Sequence, residues 1–301
     1  MKIEVKDLRK SFEGNEVLHG ISFAFEKGRA FGLLGRNGAG KTTTIRILMD
    51  VFKANAGNIM VDGKPFVPSD YQIGYMPEER GMYPKKKVME QLIYFGELRG
   101  KDRAFLKEHA KVLLEKLEIS DYANRKMETL SKGNQQKVQL AQTLICDPEI
   151  IILDEPFSGL DPVNSQILKD LIREEIERNK LVIFSSHEMS YVEEFCEDIL
   201  IMKNGEIAIQ GNLNQIKKEI GAKKGIISAD NYSLHDLESI LNEKYSNEIN
   251  VVDKKREFLI FEMKKSKSEI MKKLSDSDID ISIFGDYKPS LTDIFVWKAG
   301  E

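Results

Sequence analysis

GRNGAGKT at Gly35–Thr42 is the stretch from which the rest of the chain can be read. It fits the pattern G-x-x-x-x-G-K-[ST], in which glycines let backbone N–H groups wrap a polyphosphate while the following helix aims its N-terminus at the negative charge. The pattern needs a strand before it and a helix after it. Arg29–Leu34 (RAFGLL) reads as a short buried strand, and Lys41–Val51 (KTTTIRILMDV) as a helix with apolar residues at helical spacing. The candidate phosphate-cradling residues are therefore Gly35, Asn37, Gly38, Gly40, Lys41, Thr42 and Thr43. Lys41 would reach the terminal phosphates, and the Thr42 hydroxyl would face Mg²⁺.

Further along, Ile150–Leu153 is a continuous apolar run of the kind found in a parallel strand covered on both faces. Its end carries Asp154 and Glu155. Asp154 would then stand at the carboxyl end of a strand, where open α/β sheets bind ligands, and would hold the metal shell. Glu155, one residue on, is placed to polarise an attacking water, although an Asp-Glu pair after a strand is equally compatible with a solvated loop.

Two more segments complete the set: LSKGN at Leu130–Asn134, and SSH at Ser185–His187 after the strand-like Leu181–Phe184. With them, LSKGNQQKVQLAQTLICDPEIIILDEPFSGLDP resembles the signature, Walker B and D-loop block of ABC-transporter ATPase subunits. The resemblance covers about Met1 to Leu213, with its motifs in family order. It implies that Phe12 stacks on adenine, that the D-loop is Ser158–Asp161, and that His187 senses the γ-phosphate. The loop joining the core to a helical subdomain would lie within Ile73–Pro84 (IGYMPEERGMYP). In such proteins the site forms between two molecules, so Ser131 and Gly133 would contact the γ-phosphate held by a partner's phosphate loop. ATP and Mg²⁺ are the implied substrate and cofactor, and a lone copy is expected to hydrolyse poorly.

Three positions, two of them in the signature, depart from the commonest family pattern. Lys132 and Asn134 replace a glycine and a glutamine of the signature; Lys132 is read as a solvated cation or an extra phosphate contact. Glu78 stands where most members carry a glutamine near the metal and the water. A carboxylate there could strengthen Mg²⁺ coordination or repel the γ-phosphate, or Glu78, Glu79 and Arg80 could form a plain charged loop.

Composition bounds the reading. The 301 residues suffice for one large or two modest domains, and 45 basic against 49 acidic residues give a net charge of −4, no reason to expect nucleic acid. Cys146 and Cys196 lack metal-ligand spacing and, with no leader expected before Met1–Lys10, read as reduced thiols of a cytosolic protein. His19, His109 and His235 are scattered and read as surface or packing residues. No apolar run approaches the 18 or so residues that a spanning helix needs, so a transport pore would be a separate chain. Its docking surface is expected on the helical subdomain, about 80–134, with Met82 and Tyr83 as candidates.

From 216 to 301 the family motifs are absent. Strand-like Lys224–Ser228, helix-like Leu234–Lys244, a strand pair over Ile249–Met263, a helix around Ser268–Leu274 and strand-like Ile279–Phe284 follow in order. This is βαββαβ, the ferredoxin-like order. PSLTDIFVWKAG at Pro289–Gly300 reads as a closing helix capped by Ser290, with Leu291, Ile294, Phe295 and Trp297 inward. That tail resembles exporter ATPase subunits of the ABC-2 type, including sodium and antibiotic exporters, and its 15 basic and 16 acidic residues suit a regulatory or dimer-supporting module better than a nucleic-acid arm.

The fold class expected is thus an α/β phosphate-loop ABC ATPase core (1–215) with a helical subdomain, plus a small α+β ferredoxin-like C-terminal domain (216–301). The function expected is the ATP-hydrolysing subunit of an ABC exporter, peripheral on the cytoplasmic face of the membrane, pairing with a second ATPase domain and a separate permease. The competing reading is a soluble ABC ATPase acting on nucleic acid or ribosomes; the single motif set and the lack of a basic arm weigh against it.

Overall fold

The structure is a computed structural model that describes residues 1–79 and 81–299. Arg80, the expected start of the helical subdomain, and Gly300, the last residue of the expected closing helix, lie outside the described residues. Two compact units emerge, one of Met1–Leu213 together with the closing residues from Phe295, the other Asn214–Ile294.

In the first unit, β1 (Lys2–Phe12), β2 (Asn15–Glu26), β4 (Ala56–Val61) and β5 (Lys64–Pro65) form an antiparallel sheet in the order β2-β1-β4-β5. A second sheet runs β10-β9-β3-β8-β7-β6, built from β3 (Ala30–Gly35), β6 (Ile73–Met76), β7 (Ile150–Asp154), β8 (Leu181–Ser185), β9 (Cys196–Lys203) and β10 (Glu206–Asn212). Its strands β6 to β9 and β3 pair in parallel, and only the edge pair β9–β10 is antiparallel. The parallel centre explains the sequence pattern: every residue of β3, β7 and β8 is buried, as a strand covered on both faces requires. The core between the sheets includes Phe23, Phe25 and Phe31, stacked with ring centroids 5.1–5.9 Å apart, and Ile45 and Leu48 from α1 (Lys41–Leu48). Helix α1 stops short of the expected Val51 because Asp50 takes a left-handed conformation (φ 58°), which ends the helix.

Helices α2 (Val88–Leu98) and α3 (Arg103–Lys116) fall within the stretch expected to be a helical subdomain, about 80–134, whereas α4 (Lys132–Leu144) begins at its end and runs on past it. Helices α2 and α3 approach so closely that a Cβ on Gly96 would sit 2.2 Å from Leu106 Cδ2. Helix α3 starts where Asp102 accepts the Ala104 and Phe105 N–H groups at 2.8 and 3.2 Å. Helix α5 (Pro162–Glu177) links β7 to β8, and α6 (Met189–Phe195) links β8 to β9.

After α7 (Leu213–Gly221), the second unit contains β11 (Lys224–Ala229), α8 (Leu234–Lys244), β12 (Ile249–Lys254), β13 (Leu259–Met263), α9 (Lys267–Ser275) and β14 (Ile281–Asp286). The sheet order β12-β13-β11-β14, antiparallel throughout, is that of a ferredoxin-like fold. Its core gathers Ile227, Leu237, Leu241, Leu259, Phe261, Ile270 and Leu274. In α10 (Leu291–Ala299) the expected inward stripe is shorter than anticipated: Leu291 and Ile294 are fully buried and Phe295 is half-buried, but Trp297 is 43% exposed. A single helical stripe cannot hold both 294 and 297 at its centre together with 291 and 295, so the last large ring falls at its margin.

Candidate functional site

The glycine loop turns out of β3 and into α1, and its conformation demands glycine at both ends. Gly35 (φ 154°) passes so close to β9 that a Cβ would lie 2.7 Å from the Met202 carbonyl oxygen; Gly40 (φ 104°) presses on Leu18, with 2.6 Å between a built Cβ and Cδ2. Asn37, Gly38 and Thr42 are exposed at the surface of this loop, and Thr43 is half-buried. The buried Thr44 hydroxyl donates to the Gly40 carbonyl at 3.0 Å and braces the first turn of α1. Lys41 Nζ donates to the carbonyls of Gly35 (2.6 Å) and Arg36 (3.3 Å), folded back over the loop. Burial pushes its ammonium down from the usual lysine range, opposed by the nearby Asp154, Glu155 and Glu78 carboxylates.

Asp154 ends β7 in the parallel sheet, 8% exposed. Burial pushes its carboxyl above the usual range, and the anionic Glu155 and Glu78 reinforce the effect against Ser185 and Lys41. The same environment, burial first and Asp154 next, pushes the Tyr75 phenol up to about 12. Among the described residues no group of three or more His, Cys, Asp or Glu is arranged to hold an ion unaided. One carboxylate and one hydroxyl, from Asp154 and Thr42, are hard oxygen donors, a set that suits Mg²⁺, an ion that keeps water and phosphate oxygens in the rest of its shell.

Glu155 departs from the strand through a left-handed backbone (φ 50°), unusual for a residue with a side chain and found where surrounding structure enforces it. Its N–H donates to the Ser185 carbonyl at 2.9 Å. The turn delivers its carboxylate to the end of β8: Oε1 accepts the His187 backbone N–H at 2.6 Å and lies 2.7 Å from His187 Nδ1, while Oε2 accepts the Ser186 hydroxyl at 3.0 Å. Glu155 is buried, yet the His187 ring is 67% exposed, so the histidine stands at the rim with its base anchored.

Ser131, Gly133 and Asp161 form a separate cluster. Ser131 caps α4, its Oγ accepting the Asn134 N–H at 3.2 Å. Asp161 caps α5 by accepting the Asn164 N–H at 2.9 Å and holds the Asn164 side-chain amide at 2.6 Å. A Cβ on Gly133 would meet that same amide nitrogen at 3.1 Å. Asn164, which belongs to none of the sequence motifs, thus ties the LSKGN segment to the Ser158–Asp161 loop.

Gln136 and Gln139 lie outside the sequence motifs as well. Both are buried on α4 and donate to backbone carbonyls of the loops around the acids, Gln136 to Pro156 at 3.0 Å and Gln139 to Pro77 at 2.7 Å and Glu79 at 3.3 Å. Glutamine inside a polar helix gives no one-dimensional signal for such a role, since the partners lie 20 to 62 residues away. Glu78 itself is exposed.

Phe12 closes β1, 41% exposed, its ring edge-on to Phe52 with centroids 5.2 Å apart and Lys10 Nζ 5.0 Å above it. Phe52 follows shortly after α1, which connects the aromatic pair to the helix that begins at the glycine loop. Of the two expected docking residues, Tyr83 is 52% exposed and borders a cavity of about 400 Å³ with Lys86, Glu90, Gln91 and Tyr94, but Met82 is buried. Met82 therefore packs inward, as its place beside a helix of the subdomain favours.

Residues 18–158 match the ABC transporter family, and residues 211–299 match the C-terminal domain of DrrA1-3-like ATP-binding proteins. The chain is 38% identical over 304 residues to an uncharacterized ABC transporter ATP-binding protein, YhaQ, of Bacillus subtilis (strain 168), spanning 99% of this chain and 98% of that one. It is 37% identical over 201 residues to the ABC transporter ATP-binding protein NatA of the same organism (65% of this chain, 82% of that one). It is 32% identical over 225 residues to the Nod factor export ATP-binding protein I of Burkholderia lata (73% and 74%). Among solved structures, the ATP-binding subunit of an ABC transporter superposes with a TM-score of 0.68 at 28% identity, over 81% of this chain and 100% of that one. A phosphate loop, a buried strand-end acid and near-complete alignment with such a relative lead to one conclusion: this chain belongs to the ATP-binding, ATP-hydrolysing subunits of ABC transporters.

Proposed function

We propose that the chain powers export through a separate membrane permease, by ATP-driven closure of two nucleotide-binding units at the cytoplasmic face of the membrane. The observation that carries this reading is the division of the site's polar groups. Lys41, Asp154, Glu155 and His187 gather around the glycine loop and the ends of β7 and β8, whereas Ser131 and Gly133 open α4 in a cluster of their own. Among the described residues, no hydrogen bond or ion pair joins Ser131, Gly133 or Asp161 to the first group. A helix N-terminus with a serine cap is suited to a phosphate, and a second copy would supply one. The tail matching DrrA-like proteins and the export named for one relative favour export. No described helix is long and apolar enough to cross a membrane, and in this reading the pore belongs to another chain.

In this reading the chain's own groups act in turn. The glycine-loop N–H groups and Lys41, released from the Gly35 and Arg36 carbonyls, bind the β- and γ-phosphates. Thr42 and Asp154 would hold Mg²⁺, which when bound neutralises phosphate charge. The Phe12 ring takes the adenine face. Glu155 orients the attacking water and accepts its proton, while the Ser186 and His187 contacts keep the carboxylate from swinging away. His187, exposed beside Glu155, faces the γ-phosphate, and Asp161 with Asn164 shapes the partner-facing D-loop.

The test is the Glu155→Gln chain with ATP and Mg²⁺, examined by size-exclusion chromatography with light scattering. A stable dimer that ADP does not support is expected; a monomer under saturating ATP would remove the two-molecule site. Recovery of the tagged full-length chain from membranes together with one polytopic protein tests the permease, and a wholly soluble, partnerless chain counts against it.

A further inference from the structure

Gln139 carries a buried amide that the hydrolysis scheme does not use. The side chain is 1% exposed on α4, and its Nε2 donates to the carbonyls of Pro77 (2.7 Å) and Glu79 (3.3 Å), the two residues that flank Glu78. Its Oε1 is buried with no partner among the described residues. Reversing the amide would set that oxygen against both carbonyls, so the orientation is fixed by the acceptors. A buried amide oxygen without a partner is costly, and a site that retains one needs a reason. One turn earlier on the same helix, Gln136 donates to the Pro156 carbonyl at 3.0 Å, directly after Glu155. One face of α4 therefore grips the backbone beside both acids, and the N-terminus of that helix is the Ser131 cap.

We propose that Gln139 is a positioning residue for ATP hydrolysis: its amide clamps the peptide groups on either side of Glu78 and so fixes how closely the Glu78 carboxylate approaches the terminal phosphate. This rests on the reading that Glu78 faces the phosphates, and its charge already bears on both Lys41 and Asp154. The need for a clamp follows from the charge. A glutamine at 78 could hydrogen-bond a phosphate and hold itself in place, whereas a carboxylate is repelled by phosphate and drawn to a cation, so its distance must be set by the backbone. The clamp also gives α4 a physical hold on Glu78: movement of the Ser131 end relative to the sheet is passed through Gln139 to the Pro77 and Glu79 carbonyls.

The experiment is a double-mutant cycle in the full-length chain: wild type, Gln139→Met, Glu78→Ala and both together, with kcat and KM for ATP measured in each and thermal unfolding followed in parallel. Methionine keeps the length and bulk of glutamine but donates nothing; should that variant fail to fold, Gln139→Asn, which keeps an amide one methylene too short, takes its place. In the Glu78-containing chain, loss of the clamp should lower kcat about tenfold with KM changed less than twofold, the signature of misplacement rather than lost binding. In the Glu78→Ala background the same change should cost less than twofold. If Glu78→Ala alone leaves kcat untouched, Glu78 does not face the reaction and the reading beneath this proposal fails. If Glu78→Ala matters but loss of the clamp costs the same factor in both backgrounds, costs nothing, or acts on KM alone, Gln139 is a core residue and the proposal is overturned.

Discussion

Asp154 and Asp293 are both partly enclosed acids, one in each unit, and their surroundings push them in opposite directions. Asp154 ends a wholly buried strand, and burial, with Glu155 and Glu78 beside it, raises its carboxyl above the ordinary range. Asp293 also feels burial, but the Lys255 ammonium, the Ser290 hydroxyl and N–H and the Tyr287 hydroxyl more than offset it and draw the carboxyl down to about 2. The first unit holds an acid in an unfavourable setting that a bound cation would relieve. The second satisfies its acid with protein groups alone, as it does with the Ser266–Glu269 capping box that starts α9. Sites meant for ligands leave polar groups under-satisfied, although a single orphaned oxygen, Glu248 Oε2, also occurs in the second unit among the described residues. The left-handed Glu155 and the orphaned Gln139 oxygen belong to the same side of this contrast.

The sharpest way to break the contrast is Glu155→Gln. Its backbone turn and its contacts with Ser186 and His187 should largely persist, so ATP binding should survive, while turnover should fall by roughly 10² to 10⁴ with the loss of a general base. Steady-state phosphate release and nucleotide binding, measured on the same preparation, decide it; retained turnover would move the catalytic role to another carboxylate, with Glu78 the first to examine.

Next in size is Asp293→Asn. Hydrogen bonds to a charged group are worth roughly 1.5–3 kcal/mol, so the second unit should lose stability of that order at pH 7. The sign of the pH dependence follows from the shift. Because the folded value is lower than the usual 3.9 or so of an unfolded aspartate, the stabilisation is fully present above about pH 4 and is lost as pH falls toward 2. Hydrogen exchange in β11 and β13 at pH 7 reads the change directly; equal protection in wild type and variant would mean that the Asp293 cluster is ornamental pairing.

The contrast also explains what could be read from the chain itself. Strand, glycine loop and helix around Lys41, the apolar runs of β7 and β8, and the βαββαβ order of the second unit are local patterns, and the structure has them at or within a few residues of the expected bounds. The β1–β2 hairpin went unread because a register shift between Val5 and Leu8, where Asp7 turns left-handed (φ 46°), breaks the alternation that would have marked β1. Gln136, Gln139 and Asn164 were invisible for a different reason: their partners are fixed by the packing of α4 and α5 on the sheet, and no spacing encodes that. Trp297 shows the limit of a helical stripe, which says which residues share a face and not where that face ends.

Phe12→Ala sharpens the comparison by separating base from phosphate. Stacking on an aromatic ring is worth roughly 1–3 kcal/mol, so ATP should bind about fivefold weaker or worse, with little change in the preference for ATP over GTP since every purine offers a face. Inorganic triphosphate, which has no base, should bind as before. Unchanged ATP affinity would remove the Phe12 ring from the site.

The smallest effect expected on stability is also the one of opposite sign: Asp154→Asn should make the ligand-free chain more stable at neutral pH, even as it removes an oxygen ligand proposed for Mg²⁺. A carboxyl raised by burial and by neighbouring anions binds a proton more readily in the folded state than in the unfolded one, so the folded state loses stability as pH rises from the unfolded value near 3.9 through the folded one. Asparagine, which carries no charge, escapes that loss. The variant should therefore match wild type below about pH 4 and melt above it at pH 7, and for a chain of this size each 1 kcal/mol is worth about 2–4 °C. Asp293→Asn should do the reverse over the same range, losing stability at pH 7 and converging on wild type as pH approaches 2. Thermal unfolding of both variants without nucleotide at pH 4, 5.5 and 7 puts the two aspartates on one plot; two curves moving in the same direction would show that Asp154 is held as comfortably as Asp293, and that the first unit keeps no unsatisfied charge in reserve for its ligand.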